Sequence, residues 1–379
     1  MKDKCSFRST AFTLHVVICS ALVCATAISL QAKTITVMNT NDSGSGSLRQ
    51  ALADANDGDT IDFTVIGAIA LTSGELLVDN SVTIFGPGAA TLAVNGNAMS
   101  RVFHIASGKT VSISGLTLTN GAATSENGGG TLNDHAILTM DGCAVLNSGS
   151  NLGGGIYNDG SGGRAALTII NTTVTNNGVG FADLFPPGSE GGGVYNGVGI
   201  MMITNSSVSG NFAGVPGPNF PTGVGGGISN YGTLTITNST INGNQCWYYA
   251  GGISNSGTLT ITNSTVSGNR ATGQHDGEPW GTGGGIVGEV TLTNSTVSNN
   301  YASLSTGGIE GGGVIGNTIL NNNSGANITG TIKSLGYNLS SDDGGGNLTG
   351  ARRPDQHRSD DWSFADERGT NINSRLATW

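Results

Sequence analysis

Residues 225–244 read GGGISNYGTLTITNSTINGN, and residues 250–269 read AGGISNSGTLTITNSTVSGN. In the first stretch Leu234 and Ile236 alternate with Thr, Asn238 interrupts, and Ile241 resumes the apolar side three residues later. Period two places successive side chains on opposite faces of a strand, whereas on a helix it would scatter the apolar residues around the circumference. Thr, Val and Ile also favour strands because branching at Cβ stiffens χ1.

The phrase recurs. Its first half is GGGIYN at Gly153, GGGVYN at Gly191, GGGISN at Gly225, AGGISN at Ala250 and GGGIVG at Gly283. Its second half is LTIINTTV from Leu167, MMITNSSV from Met201, LTITNSTI from Leu234, LTITNSTV from Leu259 and VTLTNSTV from Val290. The central residues Asn171, Asn205, Asn238, Asn263 and Asn294 are spaced by 34, 33, 25 and 31 residues. The shortest interval holds about three short strands with corners, one turn of a parallel β-helix. The expectation is a solenoid with aliphatics stacked inside, Thr stacked outside and rungs about 4.8 Å apart.

The corners carry their own chemistry. Asn tolerates left-handed backbone and its amide stacks well, so the five central Asn residues are expected to form a structural amide ladder. Each Gly loses roughly 0.5–1 kcal/mol in chain entropy, so repeated triplets need a steric reason. Positive φ or close backbone approach before Ile156, Val194, Ile228, Ile253 and Ile286 supplies one. The many Asn-x-Ser/Thr triplets read as part of this pattern rather than as glycosylation acceptors.

Only 11% of residues are charged and the net charge is -10, while hydrophobic residues reach 36%. That is too apolar for a disordered Gly-rich chain and offers no basic patch for nucleic acid. At the N-terminus Lys2, Lys4 and Arg8 precede an apolar stretch from Ala11 to Leu30, and Ala32 offers a cleavage point before Lys33. Residues 1–32 therefore read as an export signal, leaving no stable membrane span after cleavage. Cys143 and Cys246 then remain, read as buried free thiols, and no Cys/His spacing suggests zinc or another metal. No cofactor is indicated.

Residues 33–63 read as an N-terminal cap of strand, short helix and strand. Ser47 followed by Gln50 has the capping-box form, Leu48, Ala51, Leu52 and Ala55 share one helical face, and Gly58 is a natural stop. Residues 64–350 read as the solenoid, whose open end such a helix would close.

With SGSLRQALADAND near the start, the paired GGGI and TNST phrases, and NTILNNN with SLGYNLSSDDGGG from Asn317 to Gly346, the chain resembles the bacterial parallel β-helix repeat proteins of the choice-of-anchor type. Their repeats are similar in style to those of polymorphic outer membrane proteins. The resemblance covers roughly residues 33–350. It implies an all-β, right-handed single-stranded parallel β-helix of the pectin lyase-like kind with a short N-terminal capping helix. It also implies export and a secreted or cell-surface (outer membrane) role, usually without catalysis. From Ala351 the chain turns into ARRPDQHRSDDWSFADERGTNINSRLATW, rich in Arg and Asp and without rungs. Read one base further with permitted codons, it becomes PGDQINTDPMIGPLQMNGGPTLTHALATG, the continuation this family carries. Residues 351–379 are thus expected to be a frameshifted tail that does not pack as a rung.

No catalytic residue stands out. A β-helix lyase needs a cationic base beside carboxylates and a hydrolase needs paired acids. From Val111 to Gly350 the Lys and Arg residues are Arg164, Arg270 and Lys333. Asp342 and Asp343 read as a turn, and His104, His135 and His275 as packed or solvated. Insertions fall between each SGN-like end and the next triplet, which places their loops along one edge of the stack. They carry Phe181, Phe185, Phe212, Phe220, Trp247, Tyr248, Tyr249 and Trp280. Aromatics outside a core often bind something. Trp247, Tyr248, Tyr249 and Trp280 are the candidate ligand-binding residues, with extracellular polysaccharide or a surface protein as the partner. The reading is a noncatalytic, adhesin-like binding scaffold; the alternative is a β-helix polysaccharide lyase or glycoside hydrolase.

Overall fold

The structure, a computed structural model, describes residues 31–123, 126–180, 189–214 and 222–348. The signal segment up to residue 30, the tail, and Phe181, Phe185 and Phe220 lie outside the described residues. The chain coils as a right-handed parallel β-helix. Among the described residues its strands form four all-parallel sheets, plus one two-stranded antiparallel pair at Gln274–His275 and Glu278–Pro279.

One rung shows the plan. Ile228–Asn230 belongs to a 10-stranded sheet (sheet III), Thr233–Thr237 to a 12-stranded sheet (sheet I), and Thr240–Asn242 to an 11-stranded sheet (sheet II). Gln245–Cys246 belongs to a 7-stranded sheet of two-residue strands (sheet IV). Three strands per turn are expected from the spacing; the fourth arises because the SGN-like end turns inward and pairs briefly before the insertion leaves. Register stacks like on like: Leu234 on Leu259, Ile236 on Ile261, Thr235 on Thr260. Ile228, Leu234, Ile236 and Ile241 are all fully buried, and each such side chain contributes about 1.5–3 kcal/mol.

Three inner corners carry hydrogen-bonded polar columns. Between sheets I and II, the backbone N–H groups of Thr172, Ser206, Ser239 and Ser264 each donate to the hydroxyl of the next rung at 3.1 Å. Between sheets II and IV, Asn177, Asn211, Asn244, Asn269, Asn300 and Asn323 form a continuous amide chain at 2.9–3.0 Å. Between sheets III and I, Asn133, Asn158, Asn196, Asn230 and Asn255 form another at 2.6–2.7 Å. The five central residues Asn171, Asn205, Asn238, Asn263 and Asn294 sit elsewhere: they are exposed, with φ of 48–52°. They turn the corner in left-handed backbone, and the next residue, Thr or Ser, points inward. The buried amide chains therefore run through Asn residues six positions later and through the Asn of the first half-repeat.

The glycine triplets meet both steric demands on different residues. Gly225 has φ +62, while at Gly226 a Cβ would lie 2.3 Å from the Gln245 carbonyl oxygen of the strand passing beneath. At the N-terminal end the helix Leu48–Asp54 buries Leu48, Ala51 and Leu52. Ser47 accepts from the Gln50 N–H, as its position predicts, but the Gln50 side chain turns to Asp54 rather than back to the cap. The helix ends at Ala55, ahead of Gly58. The strands on either side, Thr34–Val37 and Thr60–Phe63, are themselves the first two members of sheet I, so the cap is continuous with the stack. At the other end Leu348 fills the core, and Asn347 Oδ1 accepts from the Ile332 N–H that a further strand would pair.

Candidate functional site

The insertions leave after sheet IV and return through a column of single bridges, Leu152 to Glu190 to Val224 to Tyr249 to Thr282. This column forms one edge beside the outer face of sheet III. Its backbone is fixed by neighbouring rungs: Trp247 N donates to Ala213 O at 3.2 Å, Tyr249 N to Gly223 O at 3.0 Å, and Thr282 N to Tyr248 O at 2.8 Å.

The structure divides the four predicted aromatics. Tyr248 contacts Trp280 (centroids 6.5 Å) and Tyr249 (6.0 Å), both tilted by just under 40°. Tyr248 is 39% exposed and the other two are part-buried. Trp247 meets Phe212 edge-on at 6.5 Å, and its buried indole N–H has no hydrogen-bond partner among the described residues. Three rings thus present one amphipathic patch, and the fourth packs against Phe212 instead.

Beside this edge lies an aromatic column absent from the sequence-based candidates. Tyr157 and Tyr195 are register partners on the outer face of sheet III, stacked at 4.9 Å and 5°. Tyr231, at the corner one rung on, continues the column at 5.5 Å. The Tyr231 hydroxyl donates to Glu190 of the bridge column at 2.7 Å. Burial pushes the Tyr157 phenol up to about 12, helped by Asp159 and Glu190, and raises Tyr195 and Tyr231 as well. Burial also raises the Glu190 carboxyl against the pull of the Tyr231 hydrogen bond. The result is a set of neutral hydroxyl donors on a semi-dry aromatic floor, chemistry suited to sugar hydroxyls. The signal was present in GGGIYN and GGGVYN, where Tyr occupies the outward position after the inward aliphatic.

Lower on the same face is a charged cluster. Arg101, 3% exposed, bridges Glu75 at 2.5 Å and Glu126 at 2.7 Å and donates to the carbonyls of Asn127 and Gly128. His104 Nδ1 lies 3.0 Å from Glu75, and its Nε2 lies 3.7 Å from Asp134. The His104 hydrogen bond holds the Glu75 carboxyl below the usual range despite burial, with Arg101 adding to the pull. His135, with φ +51, contacts the Ser161 carbonyl and the Asp134 carboxylate, and both raise its pKa. Asp342 is structural: it accepts from the Asn327 backbone and side chain, Ser340 and Gly344, and these bonds outweigh burial to lower its pKa. Asp343 caps the terminal turn through the Gly345 N–H. Among the described residues no helix is long and apolar enough to cross a membrane.

No family model and no curated protein matches the chain. Solved structures similar to it include the following two. Pectate lyase Pel9A shares 14% identity over 83% of this chain and 80% of its own, with a TM-score of 0.45. The Geobacillus virus E2 ORF18 structure shares 10% identity over 81% of this chain and 61% of its own, with a TM-score of 0.41.

Proposed function

We propose that this protein is an exported, noncatalytic surface scaffold that binds extracellular glycan along the edge formed by Tyr248, Tyr249 and Trp280. The observation that carries the reading is the partial exposure of Tyr248 and of the Tyr249 and Trp280 rings it contacts, on an edge fixed by backbone hydrogen bonds to neighbouring rungs. Aromatic faces with a polar rim bind sugars by stacking and hydroxyl hydrogen bonds. The Tyr157, Tyr195 and Tyr231 column with Glu190 extends the same surface onto sheet III. Export follows from the charged and then apolar segment of residues 1–32, and N-terminal sequencing of the secreted protein should begin at Lys33.

The test is a polysaccharide panel on which retention and newly released sugar ends are both measured. Retention without product, reduced about 10-fold or more by the Tyr248→Ala, Trp280→Ala pair, supports the reading. Steady release of products would establish the lyase or hydrolase alternative. Retention unchanged in the double variant would remove the aromatic edge as the binding surface.

A further inference from the structure

Two carboxylates flank the aromatic edge along the stack. Glu190 stands two steps before Tyr249 in the bridge column. Glu310 lies on the far side of the rings: Tyr157, Tyr195, Ser229, Ser254, Val287 and Glu310 follow one another in register on the outer face of sheet III. Its carboxylate lies 3.7 Å from the Cβ position of Gly283, next to Thr282, the step after Tyr249. Rungs about 4.8 Å apart put roughly 14 Å of column between the two acids. That is the reach of a short oligosaccharide rather than of one sugar.

Glu190 accepts from the Tyr231 hydroxyl and Glu310 from the Ser305 hydroxyl. Among the described residues neither acid is in an ion pair. Residues 181–188 and 215–221, from the same insertions, contain no Lys, Arg or His. Arg270, the cation of the last insertion, lies over the Tyr301 ring at 4.7 Å in sheet IV. Both carboxylates are half-buried, and a charge taken out of water without a partner is costly. Burial raises the Glu190 carboxyl accordingly. Ligand classes meet this surface differently. A uronate or sulfate chain brings it more negative charge, and a fully N-acetylated chain offers the acids only amide N–H groups. An ammonium supplies the cation with charge-assisted hydrogen bonds, and aromatic faces attract it too.

We propose that the glycan taken by this edge is an amino-sugar polymer with free ammonium groups, which Glu190 and Glu310 receive while Tyr248, Tyr249 and Trp280 stack on the sugar faces. The inference rests on the glycan-binding reading above and narrows its ligand to one charge class.

The test is calorimetric titration of the full chain, near neutral pH and at low salt, with two oligosaccharides of equal length, hexaglucosamine and hexa-N-acetylglucosamine. Wild type should bind the first about 10-fold or more tighter, a preference that shrinks as salt screens it. The Glu190→Gln, Glu310→Gln pair keeps an acceptor for Tyr231 and for Ser305, and it should abolish the preference by weakening the first ligand alone. The Asp54→Asn, Asp79→Asn pair removes as much charge from exposed positions near the N-terminal cap and should leave the preference intact. That control separates local pairing from the general attraction of a polycation to an acidic protein. Equal affinity for the two hexamers, binding of neither, a preference that survives loss of Glu190 and Glu310, or one lost equally in the control would each overturn the inference. The glycan reading is judged separately: if a neutral polysaccharide is retained and the Tyr248→Ala, Trp280→Ala pair releases it, that reading stands while the amine assignment has failed.

Discussion

Glu190 and Tyr231, 41 residues apart, meet through a 2.7 Å hydrogen bond that joins the bridge column at the edge to the tyrosines on sheet III. Burial raises the Glu190 carboxyl above its unfolded value. A raised carboxyl pKa contributes stability that is fully present below the unfolded pKa and is lost as pH rises through the folded one. Glu190→Gln keeps an acceptor for Tyr231 and removes the buried charge. Its unfolding midpoint should exceed that of wild type at pH 8, and the advantage should vanish near pH 4. Scanning fluorimetry at both pH values decides this; parallel profiles for the two proteins would show that the charge is not penalised.

The buried and exposed Asn columns should respond very differently to truncation. Asn244 accepts from both the backbone and side chain of Asn211 and donates to Val208 O and Asn269. Asn244→Ala strands several buried partners at about 1–3 kcal/mol each. Asn238→Ala, six residues earlier and exposed at φ +51, costs only the left-handed penalty of about 1–2 kcal/mol. Urea midpoints should place Asn244→Ala well below Asn238→Ala, and equal losses would contradict the assignment of the amide chain.

Two glycines separate close approach from backbone conformation. At Gly226 a Cβ would sit 2.3 Å from the Gln245 carbonyl, whereas Gly243, at φ +63, has nothing within 4 Å of the Cβ position. Gly226→Ala should lose about 4 kcal/mol or more, or fail to accumulate as folded protein. Gly243→Ala should lose about 1–2 kcal/mol, most of it regained in Gly243→Asn. Circular dichroism melts of the three variants make the comparison.

Both thiols should report global opening. Cys246 is fully buried among Val179, Ala213, Ala271 and Ala302, and burial pushes its pKa up. Cys143 is pushed by burial to about 11. At pH 8 neither holds appreciable thiolate, so native protein should resist a disulfide reagent and label at both sites only after denaturation. Fast labelling of native Cys246 would mean that sheet IV opens independently of the stack.

The alternation around Leu234, Ile236 and Ile241 and the recurrence of the triplets were enough to read strands, rungs and a parallel coil, because period and repeat length are local properties. Ser47 and the apolar face of residues 48–55 made the capping helix legible for the same reason. The edge position of Tyr248, Tyr249 and Trp280 was legible too, since insertions at one phase of a repeat must emerge on one side. What the pattern could not rank was one Asn against another: Asn238 and Asn244 belong to the same phrase, and only the direction of Cβ relative to the core makes one a solvent corner and the other a buried link.

The sequence by itself determined the coil, its inward aliphatics and its loop edge, because each follows from residues close together in the chain. Tertiary structure alone decided what stacks across rungs. The pairing of Tyr157 with Tyr195, of Glu190 with Tyr231, and of Asp134 with Asp159 depends on register between segments 25 to 41 residues apart. Turn lengths vary along this chain, so no fixed sequence spacing encodes those contacts; the hydrogen-bonded ladder sets them as each strand settles on the one before.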